Sequence, residues 1–267
     1  MSPLLNPELA SRVDQLRQAF ADGRPFRHCT IDGFLEPSFA GRLLERFPAF
    51  ERGDHLNEEG LPGGKSINPG MRGLGEEYRA LDDLVQSGEF LELVGRITGI
   101  PDLLYDPMYF GGGTHENRQG QALDVHIGFN YHPAALWHRR LNLIVYLNPE
   151  WQPGWGGALE LHRDPYDPGN DQVVEIVPLF NRCVIFETTE HSWHGFRRIT
   201  LPTEQAAASR RSIAFYFYTE SRPAEETAST HSTVYVDRGM PAHLVPGYTL
   251  QQGDCDELAA LLTNHIG

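Results

Sequence analysis

Six of the twelve histidines and all four tryptophans fall between residues 126 and 194. Imidazole holds transition metals and moves protons near neutral pH. Most histidines in any fold are structural, so what matters is which of them stand on strands beside suitable partners. In DVHIGFNYHP, strand alternation puts His126 and Gly128 on one face. In HSWHGF, His194 precedes Gly195. In RRSIAFYFYT, Arg210 and Ser212 share a face and Arg211 points away. In RRLNLIVYLN, Asn142 and Tyr146 share one face while Leu141, Leu143 and Val145 take the other. An asparagine and a tyrosine pointing one way inside an apolar run imply the polar lining of a barrel.

The elements that must position these residues change character along the chain. Helical apolar spacing marks 7–21, with Leu9, Val13, Leu16 and Phe20 as its stripe, then 37–47 and 75–98. Gly, Pro and Asn between them predict a long surface loop over 53–75, a candidate lid. A second loop is expected over 111–121. From about residue 123 short strand-like runs take over: DVHIGFNY, LNLIVYLN, ALELH, VVEIVP, CVIFET, SWHGFRRI and RSIAFYFYT. The fold class expected is therefore mainly β with flanking helices, a jelly-roll sandwich or barrel. One domain is expected over 1–267. It has helical support and the lid loop in 1–104, the β core in 105–220, and a loop and a helix (254–265) in 221–267.

Composition bounds the partners. With 40% hydrophobic and 22% charged residues the chain can fill a core. A net charge of −14 repels nucleic-acid polymers and anionic membranes, so neither is an expected partner. No run of about 18 apolar residues is present to span a bilayer. The N-terminus lacks a basic head followed by an apolar stretch. Three scattered cysteines fit a reducing, cytoplasmic setting. Arginine supplies all the fixed positive charge except at Lys65, the sole lysine.

The order His126, then HRRLNLIVYLNPEWQPGWGGALELH, then HSWHGF, then RRS resembles the iron(II)- and 2-oxoglutarate-dependent dioxygenases, in their prolyl-hydroxylase-like branch. The resemblance covers about 105–220. It implies a double-stranded β-helix, a cupin-like jelly roll. It implies His126 and His194 as iron ligands, and Arg210 and Ser212, with Tyr146 and Asn142, as the holders of the distal carboxylate of 2-oxoglutarate (2OG). Fe(II), 2OG and O2 are the cofactors implied. The chemistry agrees, since neutral imidazole suits Fe(II) and a planar guanidinium suits a carboxylate.

One position departs from the family pattern His-x-Asp…His. Gly128 stands where the acid belongs. This resembles the 2OG-dependent halogenases, in which Gly or Ala replaces the acid and a halide takes its place. It implies chlorination, or bromination, of an unactivated aliphatic carbon, with Gly128 marking the halide position. A hydroxylase acting on a small molecule or peptide and a non-catalytic binding barrel are the alternatives. For a hydroxylase, Asp124 or Glu160 is the available carboxylate. The expected substrate is a free small metabolite. Arg197 and Arg198, close to the iron-binding segment, and Arg139 and Arg140 suggest that it is anionic, a nucleotide such as dAMP being one form. His132 and Asn130 lie near enough in sequence to reach it, and Phe215–Tyr218 are candidate walls. The segment GLPGGKS lacks the first glycine of a phosphate-binding loop, since Glu59 occupies that position.

Overall fold

Alternation inside the apolar runs decides which side of each strand meets the helices. The structure is a computed structural model that describes residues 2–56, 62–236, 243–255 and 258. Its elements in chain order are α1 (Leu9–Asp22), β1 (His28–Asp32), α2 (Pro37–Glu45), β2 (Asp54–Leu56), β3 (Pro62–Asn68), α3 (Glu76–Val85), α4 (Gly88–Thr98), β4 (Leu104–Tyr105), β5 (Gly113–Asn117), β6 (Leu123–Ile127), β7 (His138–Tyr146), β8 (Leu159–His162), β9 (Val173–Ile176), β10 (Arg182–Glu187), β11 (Trp193–Phe196), β12 (Arg210–Thr219) and β13 (Val234–Tyr235). The larger sheet runs β1-β10-β7-β12-β5-β3-β2, with β4 also paired to β12. The smaller runs β13-β6-β11-β8-β9. All pairings are antiparallel. Two such sheets with β-rich crossovers form the double-stranded β-helix.

Leu141, Leu143 and Val145 of β7, Cys183 and Ile185 of β10, and Ile213, Phe215 and Phe217 of β12 join the helices in the main core. The alternate residues, Tyr146, Val184 and Phe186, pack between the sheets with Leu159 and Leu161 of β8. The face assignment read from RRLNLIVYLN therefore holds. Helix α1 buries Leu9, Val13, Leu16 and Phe20, the predicted stripe. Leu143 is wholly buried where β7 meets the helices. Leu143→Ala is expected to destabilise the fold by about 2–5 kcal/mol, the usual cost of such a cavity, read from the urea midpoint.

Three expectations change. The helix predicted over 75–98 is two helices, because the Ser87 hydroxyl accepts from the Phe90 N–H and caps α4 anew. The 53–75 loop contains β2 and β3, which extend the larger sheet past β5. The 111–121 loop contains β5, paired along its whole length with β12. Neither β3 nor β5 carries an apolar alternation, so periodicity does not reveal them, and the neighbouring strand's open edge makes them strands. The predicted helix 254–265 lies mostly outside the described residues. No described helix is long and apolar enough to cross a membrane.

Candidate active site

A cavity opens between the sheets. Its walls include His126 of β6, His194 of β11, Asn142 of β7, and Arg210, Ser212, Ala214 and Tyr216 of β12. Among the described residues no carboxylate lines it.

His126 and His194 are register partners on adjacent strands, with ring centroids 4.4 Å apart. The Nδ1 of His126 lies 2.8 Å from the Asp124 carbonyl oxygen, and that of His194 lies 2.8 Å from the Ser192 carbonyl oxygen. A carbonyl only accepts, so each Nδ1 carries the proton and each Nε2 keeps its lone pair. That is the tautomer a metal requires, held by main-chain atoms. Burial pushes the His126 pKa down to about 4, helped by Lys65 and Arg139 and opposed by the Asp124 carbonyl. The imidazole is therefore neutral at pH 7 without a metal. These two residues fit a borderline-soft divalent cation such as Fe(II). Among the described residues no third Asp, Glu, Cys or His completes a metal-binding group. Asp124 and Glu160 belong to no such group among the described residues. Glu160 instead pairs with Arg197 and His162.

Arg210 is 5% exposed and has no carboxylate partner among the described residues. Its Nε donates to the Gly157 carbonyl at 2.7 Å and one Nη to the Tyr146 hydroxyl at 3.2 Å. Its guanidinium stacks over Phe196 at 4.3 Å. Burial lowers its proton affinity, but arginine stays charged. A buried cation held rigidly and unpaired with an acid is a receptor for an anion. Ser212 stands beside it in register with Tyr146. This arrangement fits the distal carboxylate of 2OG. The Asn142 oxygen is taken by Arg139 Nε (3.1 Å) and Nη2 (2.6 Å), leaving its amide N–H groups for a ligand.

Arg139 is the site residue that strand alternation misplaces. Alternation sends it to the helix side with Leu141. A register shift opposite Phe217 and Tyr218 returns it to the cavity side, stacked 3.6 Å over the Tyr216 ring. It is 2% exposed, its partners are the Asn142 and Phe129 oxygens, and no carboxylate pairs with it among the described residues. A Cβ on Gly128 would lie 2.5 Å from its Nη1. The guanidinium thus fills the ground beside the glycine where the family's acid would begin.

Other expected contributors lie elsewhere. Arg197 is 67% exposed and ion-paired to Glu160 and Glu175, and Arg198 donates to the Gly120 carbonyl, so neither faces the cavity. Arg140 is buried against Glu187 and Glu226. His132 is locked between Asp106 and the Ala134 and Ala135 N–H groups. Asn130 holds the 228–236 segment through Ser229 and His231. Of the candidate walls, Tyr216 lines the cavity while Phe215 and Phe217 enter the main core. Sequence reasoning missed Lys65, His115, Asn117, Thr233 and Tyr235, all of which line the cavity. The only signal for any of them was that Lys65 is the sole lysine.

Residues 112–218 match the model of the 2OG-Fe(II) oxygenase superfamily. This segment is similar to the 2OG-Fe(II) oxygenase core. Prolyl 3-hydroxylase OGFOD1 of Mus musculus is 32% identical over 88 residues, 33% of this chain and 15% of that protein. The chain thus spans about a seventh of that relative's length. A prolyl hydroxylase from Trichoplax adhaerens, solved with a hypoxia-inducible-factor peptide fragment, superposes with TM-score 0.57 at 18% identity, covering 82% of this chain and 96% of that one. A prolyl 4-hydroxylase from Phytophthora capsici gives TM-score 0.55 at 18% identity, over 97% of this chain and 75% of that one. These two share the fold.

The buried histidines of this core carry a pH prediction. Burial, Lys65 and Arg210 push the His115 pKa down to about 3. The unfolded chain takes up protons at these positions near pH 6.5, whereas the folded chain refuses them until about 4 at His126 and 3 at His115. Stability is unaffected above pH 6.5 and falls as pH drops from there towards 3, by about 3 kcal/mol from His126 alone. Urea midpoints of metal-free protein at pH 7, 6 and 5 should decline in that order.

Proposed function

We propose that this oxygenase core binds Fe(II) through His126 and His194, holds 2OG through Arg210, Ser212 and Tyr146, and oxidises an aliphatic C–H of a small molecule or peptide. The observation that carries this reading is one cavity holding two metal-ready imidazoles and a buried guanidinium, with no carboxylate among its described lining residues. With O2, the bound metal and 2OG supply the oxidising power, and 2OG is decarboxylated in the process. The chain's own residues orient the cosubstrate, exclude water and set what reaches the substrate carbon. The relatives are named as hydroxylases, which favours hydroxylation as the outcome.

A second reading, halogenation, rests on Gly128 and Arg139. Two neutral imidazoles leave the metal without the negative charge a carboxylate would bring. Arg139 offers a buried positive charge next to that gap, where chloride or bromide satisfies both. Titrating anaerobic Fe(II)–2OG protein with chloride, then admitting substrate and O2 and reading the product mass, separates the readings. Halogenation requires a chloride-dependent change in the iron–2OG absorption band and a chlorinated product. Hydroxylation gives an oxygen-bearing product regardless of chloride. Gly128→Asp sets a carboxylate against Arg139 and is expected to erase any chloride effect while metal is retained. A chloride effect persisting in that variant removes Gly128 as the halide position.

A further inference from the structure

After β12 the chain crosses to the smaller sheet and lies along its edge as a strap, residues 222–236. At its far end β13 pairs with β6, Val234 opposite Ile127 and Tyr235 opposite His126. The Val236 N–H then donates to the Val125 carbonyl at 2.9 Å. Directly opposed residues on antiparallel strands share a face, and alternation adds the residue two places away. Tyr235 and Thr233 accordingly both line the cavity, while Val234 is exposed.

The strap is fastened to both segments that carry the proposed metal ligands. On the His126 side, the Asn130 amide donates to the Ser229 carbonyl at 2.8 Å and accepts from the His231 N–H at 3.0 Å. The Tyr131 hydroxyl donates to the Ala228 carbonyl at 3.3 Å. On the His194 side, the buried Arg222 donates to the Thr188 carbonyl at 2.9 Å, and His231 Nε2 lies 3.1 Å from the Glu190 carboxylate. Ser192, whose carbonyl anchors His194, belongs to the same connection between β10 and β11.

The His126 ring is thereby confined. Its Nδ1 is held by the Asp124 carbonyl, and its ring neighbours are His194 and Tyr235. The Tyr235 ring lies 5.2 Å from it, centroid to centroid, inclined at 40°. An imidazole already packed in place loses less freedom when a metal fixes it. Linkage makes the effect mutual, since whatever the docked strap adds to metal binding, metal binding returns to the docking of the strap. We propose that Tyr235 is a positioning residue for His126, and that docking of the strap and occupation of the metal site reinforce each other, so that the wall a substrate meets is completed when the metal is in place. This rests on the oxygenase reading above.

The test is anaerobic titration of Fe(II) into protein in saturating 2OG, read by the iron–2OG absorption band, with hydrogen exchange over residues 222–236 measured with and without Fe(II). Tyr235→Ala should raise the iron midpoint about fivefold, the effect of losing one well-packed ring contact. Tyr235→Phe should restore most of it, since the ring rather than the hydroxyl carries the effect. In the parent, Fe(II) should slow exchange over 222–236 by a comparable factor, whereas in Tyr235→Ala saturated with Fe(II) it should not. A merely structural role for Tyr235 would speed strap exchange in Tyr235→Ala and leave the iron midpoint where it was. The proposal is overturned by an unchanged iron midpoint in Tyr235→Ala, or by strap exchange in the parent that ignores Fe(II). With a normal iron–2OG band in the parent, either result leaves the oxygenase reading standing. No band in the parent removes that reading and the coupling with it.

Discussion

Replacing His194 with alanine is expected to abolish iron retention and 2OG turnover together. The argument is about donor count. His126 and His194 are the two metal-ready imidazoles of the cavity, and no third Asp, Glu, Cys or His completes a metal-binding group among the described residues. A centre with three protein ligands can keep some metal after losing one, but a pair reduced to a single imidazole cannot. His126→Ala should behave alike, since the two rings are register partners with the same Nδ1 anchoring to main-chain carbonyls. Because His194 packs against Phe186 with ring centroids 4.8 Å apart, alanine also leaves a small void. His194→Asn fills more of it and should lose iron equally while keeping the thermal midpoint close to that of the parent. Metal content after desalting and the iron–2OG absorption band are the readouts. Full iron occupancy in either alanine variant would remove these residues from the metal site.

Arg210→Ala should weaken 2OG binding by about 2–5 kcal/mol, on the order of a hundredfold or more, as is usual when one partner of a buried charged pair is removed. The magnitude follows from burial. Water barely reaches Arg210, and its aromatic neighbours Phe196 and Tyr146 cannot replace its charge. Arg210→Lys should recover little, because an ammonium cannot both bond the Gly157 carbonyl and offer a planar pair of donors to a carboxylate. Metal affinity should be unchanged in both variants, since Arg210 is absent from the contacts that orient His126 and His194. Titrating 2OG into Fe(II) protein and reading the absorption band measures the effect. An unchanged midpoint in Arg210→Ala would place the distal carboxylate elsewhere.

The central strands of the larger sheet were legible because their apolar runs are long and alternate cleanly. β7, β10 and β12 each place one face on the helices, and that burial pins the register. Helix α1 was legible for the same reason. β3 and β5 were not, because their sequences, PGGKSIN and GTHEN, are rich in glycine and polar groups. They become strands by pairing beyond β12, an interaction between segments far apart in the chain.

From the sequence alone came the order of the residues proposed to hold metal and 2OG, their faces, and the glycine at position 128, since a two-residue repeat maps local order directly onto sides of a sheet. The tertiary structure alone decided which charges meet. Arg197 looked close to the site and is tied to Glu160 and Glu175, whereas Arg139 sits against Gly128 because of a register shift that no local pattern encodes. Lys65 and His115, 50 residues apart in the chain, line one cavity only because β3 and β5 pair edge to edge. Charge acts through space, and chain distance does not measure it.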